Sequence, residues 1–231
     1  MELGRRVPAM LAVGFSLACG SSDSVSPHAA PATLTIVAGA TQTDTVAQLL
    51  ANHLDVQVRD ANGDPVPGVL VSFALASDAG TLSTPSSRTR PSGRTSTAWT
   101  LPDKVGTYSV IASVDGLAPV TFKATAIPSY PARLRRVSGD SQVGIEGQSL
   151  DEVVVVRVTD LFGNGVEGMT VSFTLAPGNG SALNPQSKSD SLGQAASLWV
   201  LGQGAGPKRM QAKAPNLMPI LMNATALPAG P

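Results

Sequence analysis

The sequence predicts an all-β protein made of two tandem β-sandwiches, and three observations carry that prediction. First, Asp60-Ala-Asn-Gly63-Asp-Pro-Val66-Pro-Gly68-Val-Leu-Val71-Ser72-Phe73 returns one hundred positions later as Asp160-Leu-Phe-Gly163-Asn-Gly-Val166-Glu-Gly168-Met-Thr-Val171-Ser172-Phe173. Second, the stretches around these turns alternate apolar and polar residues with a period of two, the pattern of half-buried strands. Third, 23 Gly and 18 Pro in 231 residues, with abundant Ser, Thr, Val and Ala, suit many short strands joined by turns.

The repeat extends well beyond the turn. Thr33–Pro128 aligns with Arg133–Pro228 at the same constant offset, without a gap and with about a third of positions identical. Each unit has about 95 residues, enough to bury roughly 60 to 70% of the surface its unfolded chain exposes without staples. The only cysteine is Cys19, so disulfides are not part of the design.

Taken in order, Leu54, Val56 and Val58 alternate with Asp55, Gln57 and Arg59, and Val154, Val156 and Val158 take the same places in the second copy. Asp60 to Gly68 then forms a turn in which Gly63 supplies a positive φ and Asp60 holds the backbone. Val71, Phe73 and Leu75 follow on one face of the next strand, repeated as Val171, Phe173 and Leu175. Gly93 and Gly193 precede strands carrying Trp99-Thr-Leu101 and Trp199-Val-Leu201, whose tryptophans and leucines share a face and are expected in the core. Tyr108, Val110 and Ala112 alternate next, and Val120-Thr-Phe122-Lys-Ala124 closes the unit. Seven or eight strands with turns every 8 to 12 residues or so predict an immunoglobulin-like Greek-key sandwich for residues 33–127 and again for 133–228. Pro128 and Pro131 make residues 128–132 a short, stiff joint between them.

The pattern of Asp60, Gly63, Pro65, Val66, Gly68, Val71, Phe73, Gly93, Trp99-Thr-Leu101, Gly106 and Ala112 resembles the group 1 bacterial immunoglobulin-like domain, the repeat of invasin- and intimin-type surface proteins. The second copy departs from it with Gly165 for Pro65. The resemblance covers both repeats and implies a role in extending, spacing and presenting at a cell surface. It implies no receptor site, because the lectin-like tip and outer-membrane barrel of invasin-type proteins have no counterpart in this sequence.

The N-terminal segment reads as an address. Arg5 and Arg6 precede an apolar run from Val7 to Leu17, the length of a signal-peptide core and too short to span a bilayer. It ends at Ser16-Leu17-Ala18-Cys19-Gly20, which resembles a bacterial lipoprotein signal, with Ser16 where that signal usually has Leu. The resemblance implies a signal peptide at residues 1–18, lipidation of Cys19, and retention at an outer membrane or cell surface. Each buried CH₂ of the acyl chains would contribute about 0.8 kcal/mol to anchoring. Residues 19–32 are small and polar, a flexible tether with an r.m.s. span of roughly 20 Å.

Chemistry is sparse. His28 and His53 are the only histidines, and no Ser-His-Asp or Cys-His arrangement repeats; no enzymatic activity, cofactor or metal is expected. Asp60, Asn62 and Asp64 alternate oxygens like a calcium loop but lack a closing bidentate carboxylate, so they are expected to support a turn. Formal charges cancel and charged residues make up 14% of the chain, so no net field draws nucleic acid. Arg88, Arg90 and Arg94 cluster around the turn before Gly93, and Arg133, Arg135 and Arg136 start the second repeat; three like charges usually form a solvated face, and the first cluster is the candidate contact for an anionic glycan. The predicted role is a non-enzymatic surface adhesion or spacer lipoprotein. The alternatives are a module that binds glycan or protein through loop tips, and an accessory subunit of an exported enzyme complex. Exported location, a membrane reached through the lipid anchor, and a surface glycan or protein are the expected partners.

Overall fold

The computed structural model describes residue 1, residues 30–76 and residues 78–230. Residues 2–18 of the expected signal peptide, Cys19 and most of the tether lie outside those residues. The described part folds as two consecutive sandwiches without a helix.

In the first sandwich the strands are β1 (Thr33–Ala38), β2 (Thr41–Thr45), β3 (Leu54–Arg59), β4 (Leu70–Leu75), β5 (Thr81–Leu82), β6 (Ser86–Arg88), β7 (Arg94–Thr97), β8 (Trp99–Thr100), β9 (Gly106–Ser113) and β10 (Val120–Ile127). One sheet has the order β1-β3-β7 and the other β2-β10-β9-β4-β6, with β5 and β8 paired at one margin. The second sandwich repeats this with β11 (Arg133–Ser138), β12 (Gln142–Ile145), β13 (Val154–Thr159), β14 (Thr170–Leu175), β15 (Gly180–Ala182), β16 (Gln186–Lys188), β17 (Gln194–Ser197), β18 (Trp199–Leu201), β19 (Gly206–Lys213) and β20 (Ile220–Leu227). Its sheets are β11-β13-β17 and β12-β20-β19-β14-β16.

Each unit therefore has ten strand segments where seven or eight were expected. The extra segments come from strands that break and change sheets. The first strand breaks at Gly39, whose φ of +79° no side chain adopts comfortably. Its halves then pair in opposite sheets: β1 runs antiparallel to β3, whereas β2 runs parallel to β10. Gly139 does the same between β11 and β12. A second break follows Thr97, where the chain leaves β3 and Trp99 joins β5.

The core follows the predicted alternation. Leu54, Val56, Val58, Val71, Phe73, Trp99, Leu101, Val110, Ala112 and Phe122 are buried in the first unit, and their counterparts, with Met210 and Met222 replacing Val110 and Phe122, in the second. Burying each large aliphatic or aromatic side chain contributes about 1.5–3 kcal/mol. Trp99 and Trp199 are fully buried, and their indole N–H groups donate to the carbonyls of Ala79 at 2.6 Å and Asn179 at 2.9 Å. The tryptophans are thus core anchors with their polar edge satisfied. Leu75, Leu175 and Tyr108 pack only at the margin of the cores. Val46, in the loop after β2, is completely buried; loop residues of this kind carry no periodic signal.

Candidate functional site: the joint between the sandwiches

The repeated turn is built on one carboxylate in each copy. Asp60 Oδ1 accepts hydrogen bonds from the backbone N–H groups of Asn62 (2.9 Å) and Asp64 (2.8 Å). Asp160 Oδ1 accepts from Phe162 (2.9 Å) and Asn164 (2.8 Å) in the same way. Gly63 and Gly163 sit at φ +89° and +92°, as the turn requires. This is the expected Asx-supported turn, and among the described residues no group of three or more His, Cys, Asp and Glu gathers to hold a metal.

The copies diverge at the last residue of the turn. Where the first repeat has Asp64, the second has Asn164, and Asn164 faces the distal end of the first sandwich. Its Nδ2 donates both to Asp160 Oδ2 (2.9 Å) and to the Asp103 carbonyl (2.8 Å), while its Oδ1 accepts from the Val105 N–H (3.2 Å). From the connecting segment, the Ser129 N–H reaches Asp160 Oδ2 at 3.1 Å. Three hydrogen bonds therefore cross from the second turn to the first domain and the linker. An amide can do this because it both donates and accepts; a carboxylate at the same place could only accept.

Asp160 is completely buried and Asn164 nearly so. Burial alone would raise the pKa of Asp160, but hydrogen bonds from the Asn164 side chain and from the backbone of Ser129, Asn164 and Phe162 outweigh it and hold the group below its ordinary value. Four N–H donors fill the acceptor sites of one carboxylate, so the charge is kept without a counter-cation. Beside this contact lies a cleft of about 620 Å³, whose walls include Lys104, Ile127 and Pro128 from one side and Arg157, Asn164 and Glu167 from the other.

The basic cluster is mostly consumed within the fold. Arg94 pairs with Asp55 on the neighbouring strand, which raises its pKa through a side-chain hydrogen bond and charge attraction. Arg88 Nη1 donates to the Gly68 carbonyl at 2.7 Å. Arg90 is exposed at the turn, beside a cavity of about 240 Å³ that it shares with Asp55, Ser92 and Arg94. The three guanidinium groups thus do not converge on one open site. Asn164, which organises the joint, escaped the sequence reading; the replacement of Asp64 by an amide in an otherwise repeated turn was the available signal.

Comparison with known proteins agrees with this architecture. Residues 32–127 match the family model of the bacterial Ig-like domain (group 1). Over 144 residues, 61% of the chain, the sequence is 30% identical to the inverse autotransporter adhesin YeeJ of Escherichia coli K12, and it spans 6% of that protein's length. Among solved structures, InvD of Yersinia pseudotuberculosis superposes with a TM-score of 0.51 at 19% identity, over 85% of this chain and 58% of that one. The Escherichia coli adhesin FdeC matches 87% of this chain and 66% of its own, with a TM-score of 0.49 and 19% identity. The first sandwich thus matches the group 1 bacterial Ig-like domain, and the second repeats its strand order, its sheet orders and most of its core positions, so the chain is a tandem of two sandwiches of one architecture.

Proposed function

We propose that this protein is a non-enzymatic spacer and adhesion lipoprotein of a bacterial surface. In this reading residues 1–18 are a signal peptide, Cys19 carries the lipid, residues 19–32 are the tether, and the two sandwiches hold a contact surface away from the membrane. The observation that carries the reading is the joint. Asp160 and Asn164 tie the second domain to the linker and the first domain through part-buried hydrogen bonds, so the two units act as a joined pair instead of two beads on a string. The adhesin role of YeeJ, whose sequence the chain partly matches, supports the surface role.

Two measurements test the reading. Cells labelled with a palmitate analogue should incorporate it into the wild-type protein and not into Cys19→Ala, and an unlabelled wild type would falsify the anchor. Cells expressing the protein should adhere to host or abiotic surfaces more than cells lacking it. Equal adherence would remove the adhesion role and leave only spacing.

A further inference from the structure

The five-stranded sheets of the two repeats bury matching inner faces and present different outer ones. In the first repeat the outward residues of β2, β10 and β9 are largely hydroxyls. Thr43, Thr125 and Thr107 form one cross-strand row, with Thr41, Thr45 and Thr121 nearby. At the places of Thr43, Thr45, Thr121 and Thr107 the second repeat carries Val143, Ile145, Leu221 and Pro207. Val143 is 59% exposed, Ile145 41%, Leu221 42% and the adjoining Leu227 45%.

The register sets these residues around a cation. Val143 stands beside Thr225 and Pro207, Ile145 beside Leu227, and Leu221 beside Gln211 and Thr174. Arg209, paired with Asn223, occupies the row between the Val143 row and the Leu221 row. A groove of about 590 Å³ runs along it, bordered by Thr174, Asn179, Arg209, Gln211 and Leu221. The first repeat has Ser109 where this one has Arg209, and its own cation in that row is Lys123 on the neighbouring strand, where the second repeat has Asn223.

Val143, Ile145 and Leu221 are not needed for folding, since the sister domain forms the same sheet with threonines at those places; Leu227 alone has an apolar counterpart, Ile127. Clustered exposed apolar side chains of this kind mark contact surfaces. The charges say what kind. Arg209 and Lys213 point outward from β19, and the carboxylate of Asp140 accepts from the Asn223 N–H at 2.7 Å and faces Arg136 at 3.5 Å. Strand β12 forms the edge of its sheet, paired only with β20, so its other side is open to an added strand.

We propose that the outer face of the second repeat's five-stranded sheet docks an extended protein segment that presents a carboxylate to Arg209 between apolar side chains. The inference rests on the surface role proposed above and names the face and the chemistry of its partner. A second copy of this chain fits less well, because an isologous contact would set Arg209 and Lys213 against their own counterparts.

The test uses a random-peptide display library panned on the full chain alone, with every enriched peptide then titrated against the triple variant Val143→Thr, Leu221→Thr, Arg209→Ser. Val143→Thr and Arg209→Ser install the first repeat's own residues, as does Leu221→Thr, so the fold is expected to survive. Should the triple variant melt early, Arg209→Glu alone takes its place. Selected peptides are expected to carry Asp or Glu flanked by apolar residues, and to bind the variant at least about tenfold more weakly, the loss typical of an arginine hot spot. Peptides that bind both proteins equally, no enrichment, or a dimer in sedimentation that Arg209→Ser dissolves would each overturn the proposal. Cell adherence that persists in the triple variant together with unchanged peptide binding sinks the docking face and leaves the surface role intact. A failed palmitate label strikes the anchor and leaves the peptide result standing.

Discussion

Asn164 Nδ2 lies 2.8 Å from the carbonyl oxygen of Asp103, 61 residues earlier and in the other domain. The same nitrogen is 2.9 Å from Asp160 Oδ2, so one amide joins the turn of the second sandwich to the end of the first.

Replacing that amide by the first repeat's residue should loosen the joint. Asn164→Asp removes the donor to Asp103, sets a carboxylate against a carbonyl and against Asp160, and leaves buried groups unpaired. The expected cost is about 1–3 kcal/mol. In small-angle scattering the variant should show a broader distribution of inter-domain distances than wild type, with each sandwich still folded by circular dichroism. An unchanged distribution would show that other contacts set the domain arrangement.

The joint should also weaken in acid. A carboxyl whose folded-state pKa is depressed adds stability above its unfolded pKa and loses it as pH falls through the folded value. Asp160 is such a group, lowered from an ordinary value of 3.8. Asp160→Asn would present an amide to four N–H donors, so at neutral pH it should be less stable than wild type by roughly 1–3 kcal/mol. Urea titrations of both proteins should converge as pH drops below the ordinary aspartate value. A gap that stays constant well below that value would mean the charge of Asp160 is not what the variant removes.

Glycines of the same positive φ should differ in their tolerance of a side chain. A Cβ on Gly193 (φ +79°) would sit 2.3 Å from the Val158 carbonyl, whereas a Cβ on Gly63 (φ +89°) meets nothing within 4 Å. Gly63→Ala should cost about 1–2 kcal/mol from the left-handed backbone alone. Gly193→Ala adds a backbone clash and should cost more, read as a larger drop in the thermal midpoint. Equal drops would show that the turn shifts to make room.

Much of the fold could be read from local pattern. The alternation at Leu54, Val56 and Val58 and the pair Trp99 and Leu101 report burial within a few residues, and the structure buries all five. What escaped depends on partners far along the chain. Arg94 looked available beside Arg88 and Arg90 until strand pairing put Asp55 next to it, 39 residues away. Asn164 looked like a turn residue because its turn is repeated; its second partner belongs to a loop that only tertiary packing brings near. The splitting of the first strand at Gly39 was hidden for a related reason, since a single glycine does not say which sheet each half will join.

That split strand bears on how the protein responds to load. Because β2 runs parallel to β10, with Thr41 beside Lys123 and Thr45 beside Ile127, the entering and leaving segments of the first sandwich lie side by side. The Lys123 N–H to Ala40 and Val46 N–H to Ile127 bonds, each 2.9 Å, extend the ladder at both ends. Tension applied between β2 and the end of β10 pulls these two strands past each other along their length, and the whole row of bonds must give way together. The same arrangement of β12 and β20 follows in the second sandwich. Each domain is therefore built as a shear clamp, the geometry that keeps a sandwich folded when its two ends are pulled apart.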